Sequence, residues 1–266
     1  MFPRLLLLPA VTLVFSVSAQ AAGEAGGKPV AVIFGENVYD KDLVAPGGAR
    51  PALDPASMER AKGEGLRLRV WRAVFEDYAR RRAITPTDAE IVSQIEGHRR
   101  LKVRLDAERV QQRAALIAEL KSPGLSETRR KAAQQHLDSL NWLAEFEAKR
   151  AQELRDPAQR KIQQQAERGV AGHWVRRWKL NQALYREFGG RVVFQQAGWE
   201  PIDAYRKLLE QSEANKAFIV HDPAMRAAVY SYFAHRFIYA DEAKARYYFE
   251  KPYWERTPEE MKAAGF

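Results

Sequence analysis

Between Ser57 and Phe188 the chain is almost continuous helix-forming sequence, interrupted at Ile84-Thr85-Pro86, Pro123-Gly124 and Asp156-Pro157. Few folds accommodate helices of that length. They must pack on one another or on the chain ends, because isolated helices are marginal in water. In the first, Leu66, Val70, Ala73, Val74 and Tyr78 recur on one face, while Arg67, Arg69, Arg72, Glu76, Arg80 and Arg81 fill much of the rest. Thr85 is the expected N-cap of the second, with Pro86 at its first position and Asp88 three residues beyond Thr85. This helix is expected to reach Lys121, with Gly97 as a soft point. Ser126 caps the third, whose rhythm is set by Ala133, Leu137, Leu140, Leu143 and Ala144. A fourth starts at the Asp156-Pro157 break, meets an interruption at Gly169 to Gly172, and resumes through HWVRRWKLNQALYREF to Phe188.

The sequence on either side of this helical mass is different. VAVIF at 30–34 has the β-branched and aromatic enrichment of a strand, GEN at 35–37 turns the chain, and Val38-Tyr39 completes a small hairpin before Asp40 caps a turn. The Pro- and Gly-rich stretch at 45–57 reads as loop. After Gly189-Gly190 come a short strand at Val192–Phe194, a helix near Pro201, an extended piece at 216–220, and a helix capped by Asp222 and reaching about Ile238. Further short helices are expected from Asp241 and after Pro258. The fold class is therefore mainly α, with long helices packed against a small β-sheet formed from terminal segments. Val30–Phe34 has two candidate partners in that sheet, Val192–Phe194 and Phe218–Val220.

The N-terminus has the layout of a secretory signal peptide: Arg4 as the charged region, Leu5 to Val17 as the apolar region, and cleavage after Ala19 or Ala21. The expected organisation is a signal peptide at 1–21 and a single mainly helical domain at 22–266, located in the periplasm. With no cysteine in 266 residues, thiol nucleophiles, thiolate metal sites and disulfides are all excluded. The formal net charge of +9 is spread over mixed-sign helix faces, which fits contact with an anionic membrane surface or acidic polypeptide. No basic stripe interleaved with exposed aromatics points to nucleic acid.

Catalytic patterns are sparse. The five histidines, His98, His136, His173, His221 and His235, form no HExxH and no helical pair, and neither GxSxG nor SxxK occurs. No cofactor is expected. An envelope enzyme built around His221, His235 and nearby carboxylates stays open as an alternative, as does a non-catalytic scaffold. The most distinctive stretch is FGGRVVFQQAGWEPIDAYRKLL, where Gln195, Gln196 and Trp199 are candidates for a polar and aromatic binding lip, or for a plain strand-to-helix junction. The tail adds Tyr248, Tyr253 and Trp254, which belong to a cluster too aromatic for every ring to point inward.

VAVIFGENVYDKDL, followed later by ITPTDAEI opening a helix, resembles the N-terminal chaperone region of periplasmic and extracytoplasmic parvulin-type peptidyl-prolyl isomerases. The matching positions are Val30, Ala31, Val32, Gly35, Glu36, Val38 and Leu43, then Ile84, Thr85, Pro86, Thr87, Asp88, Glu90 and Ile91. Phe34 stands where the family usually has Asn, and the family's catalytic domain, with its Gly-Gly-x-Leu-Gly motif, has no counterpart here. The resemblance implies a chaperone-like protein that binds unfolded or envelope-bound polypeptides without isomerase activity.

Overall fold

The computed structural model describes residues 27–44, 54–195 and 198–265. The signal-peptide expectation and Gln196 lie outside them. The fold is mainly α, with two small antiparallel sheets.

The long helices begin where short polar side chains can accept hydrogen bonds from first-turn N–H groups. In α1 (Pro55–Arg81), Asp54 accepts from Ser57 N at 2.9 Å and Pro55 opens the helix. Leu66, Val70, Val74 and Tyr78 are all buried, as their spacing predicts. The N-cap of α2 (Asp88–Leu120) is Thr87 rather than Thr85. Thr87 and Glu90 make a reciprocal capping box, which satisfies two backbone donors at once. Ile84 is buried at the preceding turn and Ala83 has a φ of 51°. Ser126 caps α3 (Glu127–Glu153) and Asp156 caps α4 (Pro157–Phe188). α4 runs unbroken through Gly169 and Gly172, correcting the expected interruption. Two glycines cost about 1 kcal/mol each in a helix, and buried Ala171 and Val175 hold that stretch in place.

α2 packs on two other helices in succession. Its first half packs on α4, with Ile91 against Gly172 and Arg99 paired to Glu167 at 2.9 Å. Its second half packs on α3, where Leu116, Ala133 and Leu137 form a small separate cluster and Arg129 pairs with Glu119.

β1 (Ala31–Ile33) is the middle strand of a sheet ordered β2-β1-β5, with β2 at Glu36–Val38 and β5 at Phe218–Val220. Ala31 lies opposite Val38 and Val220, and Ile33 opposite Glu36 and Phe218. Of the two candidate partners for β1, the chain uses the later one. Phe34 and Gly35 both have positive φ, 49° and 86°, giving the tight two-residue turn that suits the strand twist. Ala31, Ile33, Val38 and Phe218 share one core with Leu66, Val70 and Val74 of α1 and with Leu208 and Leu209 of α5 (Ile202–Ala214).

The second sheet is a hairpin, β3 (Val193–Gln195) and β4 (Gly198–Glu200). α6 (Pro223–Tyr230) ends well before Ile238, giving way to a 3-10 turn at Ser231–Ala234. That change of path brings Tyr232 and Phe233 onto Trp71 at 5.4 and 5.3 Å between ring centroids. α7 (Glu242–Glu250), a 3-10 turn at Tyr253–Glu255 and α8 (Pro258–Ala263) complete the chain.

Candidate functional site

The β3–β4 hairpin carries two of the residues singled out by sequence, Gln195 and Trp199, and its geometry begins at the glycines before it. Gly189 and Gly190 both have positive φ, and a Cβ on Gly190 would meet Asp203 Cβ at 2.5 Å. Glycine is needed there. The bare backbone lets Arg191 engage Asp203 through its main-chain N–H at 2.8 Å and its guanidinium at 2.9 Å. Arg191 also lies over the ring of Tyr239, 4.2 Å from its centroid.

Alternation along β3 then sorts the side chains. Val193 and its cross-strand partner Glu200 are buried, whereas Phe194, opposite Trp199, is 68% exposed. On the other side of β3, Val193 forms an antiparallel bridge to Tyr239, which puts Ile238 next to Phe194 in register. Ile238 is 94% exposed. Trp199, Phe194 and Ile238 thus occupy one row across the strands, with two of the three rich in exposed apolar surface.

This row has a rigid mount. Glu200, 7% exposed, receives a hydrogen bond from the Tyr232 hydroxyl at 2.8 Å and an ion pair from Arg177 of α4. Asn181, also from α4, donates to Trp199 O at 2.9 Å and accepts from the Tyr205 hydroxyl at 2.7 Å. A cavity of about 310 Å³ lies among these groups, with Trp71 and Phe75 among its walls. Burial pushes the Tyr205 and Tyr232 phenols up from their usual range, and the Glu200 carboxylate adds to the effect, so both stay neutral hydrogen-bond donors. Glu200 is already engaged from both sides, so its carboxylate acts here as a fastener of β4.

Behind the row, four sequence-named aromatics form a single ladder. Trp199 stacks on Tyr248 at 5.2 Å, Tyr248 on Tyr253 at 6.2 Å, and Tyr253 meets Trp254 edge-on at 5.1 Å. Trp254 in turn packs against Trp178 of α4 at 5.6 Å. Trp199 and Trp254 are buried, while Gln195, Tyr248 and Tyr253 are half-buried. The grouping of Trp199 with Tyr248, Tyr253 and Trp254 is real, but these rings chiefly face one another. The most exposed apolar side chains around this hairpin are Phe194 and Ile238, which the sequence reading did not single out. No periodicity marked the former, since Val192, Val193 and Phe194 are all apolar and the two valines are both buried.

Other features carry less chemistry. All five histidines are exposed; His235 places Nδ1 3.0 Å from Tyr232 O, and His221 donates its backbone N–H to Val30 O. Among the described residues no group of three or more His, Asp or Glu side chains is arranged to hold a metal ion, and no helix is long and apolar enough to cross a membrane. Further apolar surface lies on α3, where Trp142 and Phe146 stack at 5.6 Å while 65% and 47% exposed. On α2, Val103, Val110 and Ile117 recur at seven-residue intervals and are likewise exposed. No family model, curated protein or solved structure matches the chain.

Proposed function

We propose that this protein is an exported, periplasmic, chaperone-like binder of unfolded or extended polypeptide that performs no covalent chemistry. The observation that carries the reading is the Phe194–Ile238 row, exposed apolar surface held on a rigid support. Monomeric proteins rarely keep such side chains adjacent and solvent-facing without a partner, and anchoring by Glu200, Asn181 and the aromatic ladder lowers the entropy lost when a segment docks. The half-buried Gln195 beside Phe194 supplies an amide for the backbone of an extended chain. Trp142 and Phe146 on α3 offer a second apolar contact for a long client, and the surplus of Arg and Lys favours encounter with acidic stretches. The resemblance of Val30–Leu43 and Ile84–Ile91 to parvulin-associated chaperone regions points the same way, without isomerase activity.

The test is suppression of aggregation of a chemically denatured model client by the mature protein at several-fold excess. Suppression is expected, and the double variant Phe194→Ser/Ile238→Ser is expected to lose most of it while keeping its circular dichroism spectrum. No suppression by the wild-type protein, or full suppression by the folded double variant, would overturn the reading.

A further inference from the structure

A cleft of about 520 Å³ lies between α2 and the C-terminal segment, at the inner end of the aromatic ladder. Where α2 carries no side chain at position 97, the C-terminal segment comes directly against it. A Cβ on Gly97 would fall 2.3 Å from Trp254 O, so the bare helix backbone receives the 3-10 turn directly. Arg100 donates to the same carbonyl at 2.8 Å. From there α8 leaves under its own capping box, Thr257 with Glu260, and forms the opposite wall.

The lining divides into an apolar part and a cationic part. Leu101, Met261, Tyr253 and Trp254 give the first; four cations against two carboxylates, Glu108 and Glu259, give the second. Two of the cations are structurally committed. Arg100 holds Trp254 O, and Arg256 donates to Lys251 O at 3.2 Å while its guanidinium lies 3.5 Å from the centroid of Tyr247. Arg104 and Lys262 remain for a ligand. The carboxylate of Glu108 is 3.5 Å from Arg104 and that of Glu259 is also attracted to it, but both lie on exposed surface where such pairings have little strength, and Lys262 has no ion pair among the described residues.

We infer that this cleft binds an amphiphilic monoanion: a carboxylate on an aliphatic or aromatic body, the charged head between Arg104 and Lys262 and the body against Leu101, Met261 and Trp254. Its volume lies within the range of small-molecule sites, which combine mostly apolar walls with a few placed polar groups. The net positive lining selects a single negative charge over a neutral or cationic head.

Calorimetric titration of the full mature protein with octanoate and with octan-1-ol, at low salt and pH 7, tests this. Octanoate is expected to bind one to one, and octan-1-ol at least about tenfold more weakly, since a hydrogen-bonded charge contributes about 1.5–3 kcal/mol. Arg104→Gln/Lys262→Gln should weaken octanoate by about tenfold or more, and Leu101→Glu should abolish it by repulsion. All three positions are exposed, so the fold is retained. Phe194→Ser should leave octanoate affinity unchanged, which separates the cleft from the hairpin row and keeps this inference independent of the proposed polypeptide binding. Equal affinity for acid and alcohol, no octanoate binding at millimolar concentration, or undiminished binding by the double variant would overturn it.

Discussion

At the scale of single residues, the backbone positions that look weakest in the sequence are among the most constrained. Gly97 reads as a soft point in α2, yet it is where Trp254 O comes against the helix. Gly97→Ala would ordinarily strengthen a helix by about 1 kcal/mol. Here the new methyl group meets a carbonyl that cannot rotate away, so the variant should lose stability and release the C-terminal segment. Hydrogen exchange should show lost protection in α7 and α8 with little change in α1 and α5; unchanged protection there would contradict the close approach. Phe34 is the opposite case. It holds a left-handed conformation at φ 49° while 44% exposed, and a bulky side chain there costs about 1–2 kcal/mol. Asn tolerates that conformation far better, so Phe34→Asn should raise the free energy of unfolding by about 0.5–1 kcal/mol in a urea titration.

At the scale of elements, α2 joins two bodies of unequal strength. Its first half belongs to the α4 contact; its second half rests on the few apolar side chains of the α3 cluster, Leu116, Ala133 and Leu137 with Leu120 and Leu140 around them. Leu137→Ala should therefore cost about 2 kcal/mol, the low end for a buried leucine because the cluster is small and can relax. The loss should appear as local opening: faster amide exchange over residues 110–140 with the main core still protected. A uniform loss of protection across the molecule would show that the α2–α3 pair is not a separate unit. Helix starts at Ser126, Asp156 and Asp222 were legible in the sequence because capping is local chemistry. The shift from Thr85 to Thr87 was legible in principle as well, since Thr-Asp-Ala-Glu is a full capping box and Thr-Pro-Thr-Asp only resembles one. The continuity of α4 through Gly169 and Gly172, the early end of α6 and the choice of β5 as partner of β1 were not, because each is decided by distant packing: Ala171 and Val175, Trp71, and the α1–α5 core. For the candidate site, aromatic density marked rings that the fold packs together, but which of them face inward depended on Tyr248 and Trp254 meeting α4.

At the scale of the whole molecule, several ion pairs join one element to another, and they share one pH dependence. Glu76 of α1 pairs with Arg176 of α4, Asp203 of α5 with Arg191, and Glu213 of α5 with Arg226 of α6. In each case the guanidinium hydrogen bond holds the carboxyl below its ordinary value, 4.5 for the glutamates and 3.8 for the aspartate, against a smaller opposing effect of burial. A carboxyl whose pKa is depressed by folding contributes stability that is complete above its unfolded value and is lost as the pH falls through its folded one. Each pair is partly exposed and contributes no more than about 1 kcal/mol. Protonation also removes negative charge from a chain that has 43 Lys and Arg against 34 Asp and Glu, so mutual repulsion among the remaining cations adds to the loss. The urea midpoint should stay flat from pH 8 to 5 and fall below about pH 4.5. Asp203→Asn/Glu213→Gln should be less stable at pH 7 and show a shallower acid slope, and added salt should narrow the difference between the two proteins. An acid slope identical in the variant would mean that these pairs do not help fasten α5 to its neighbours.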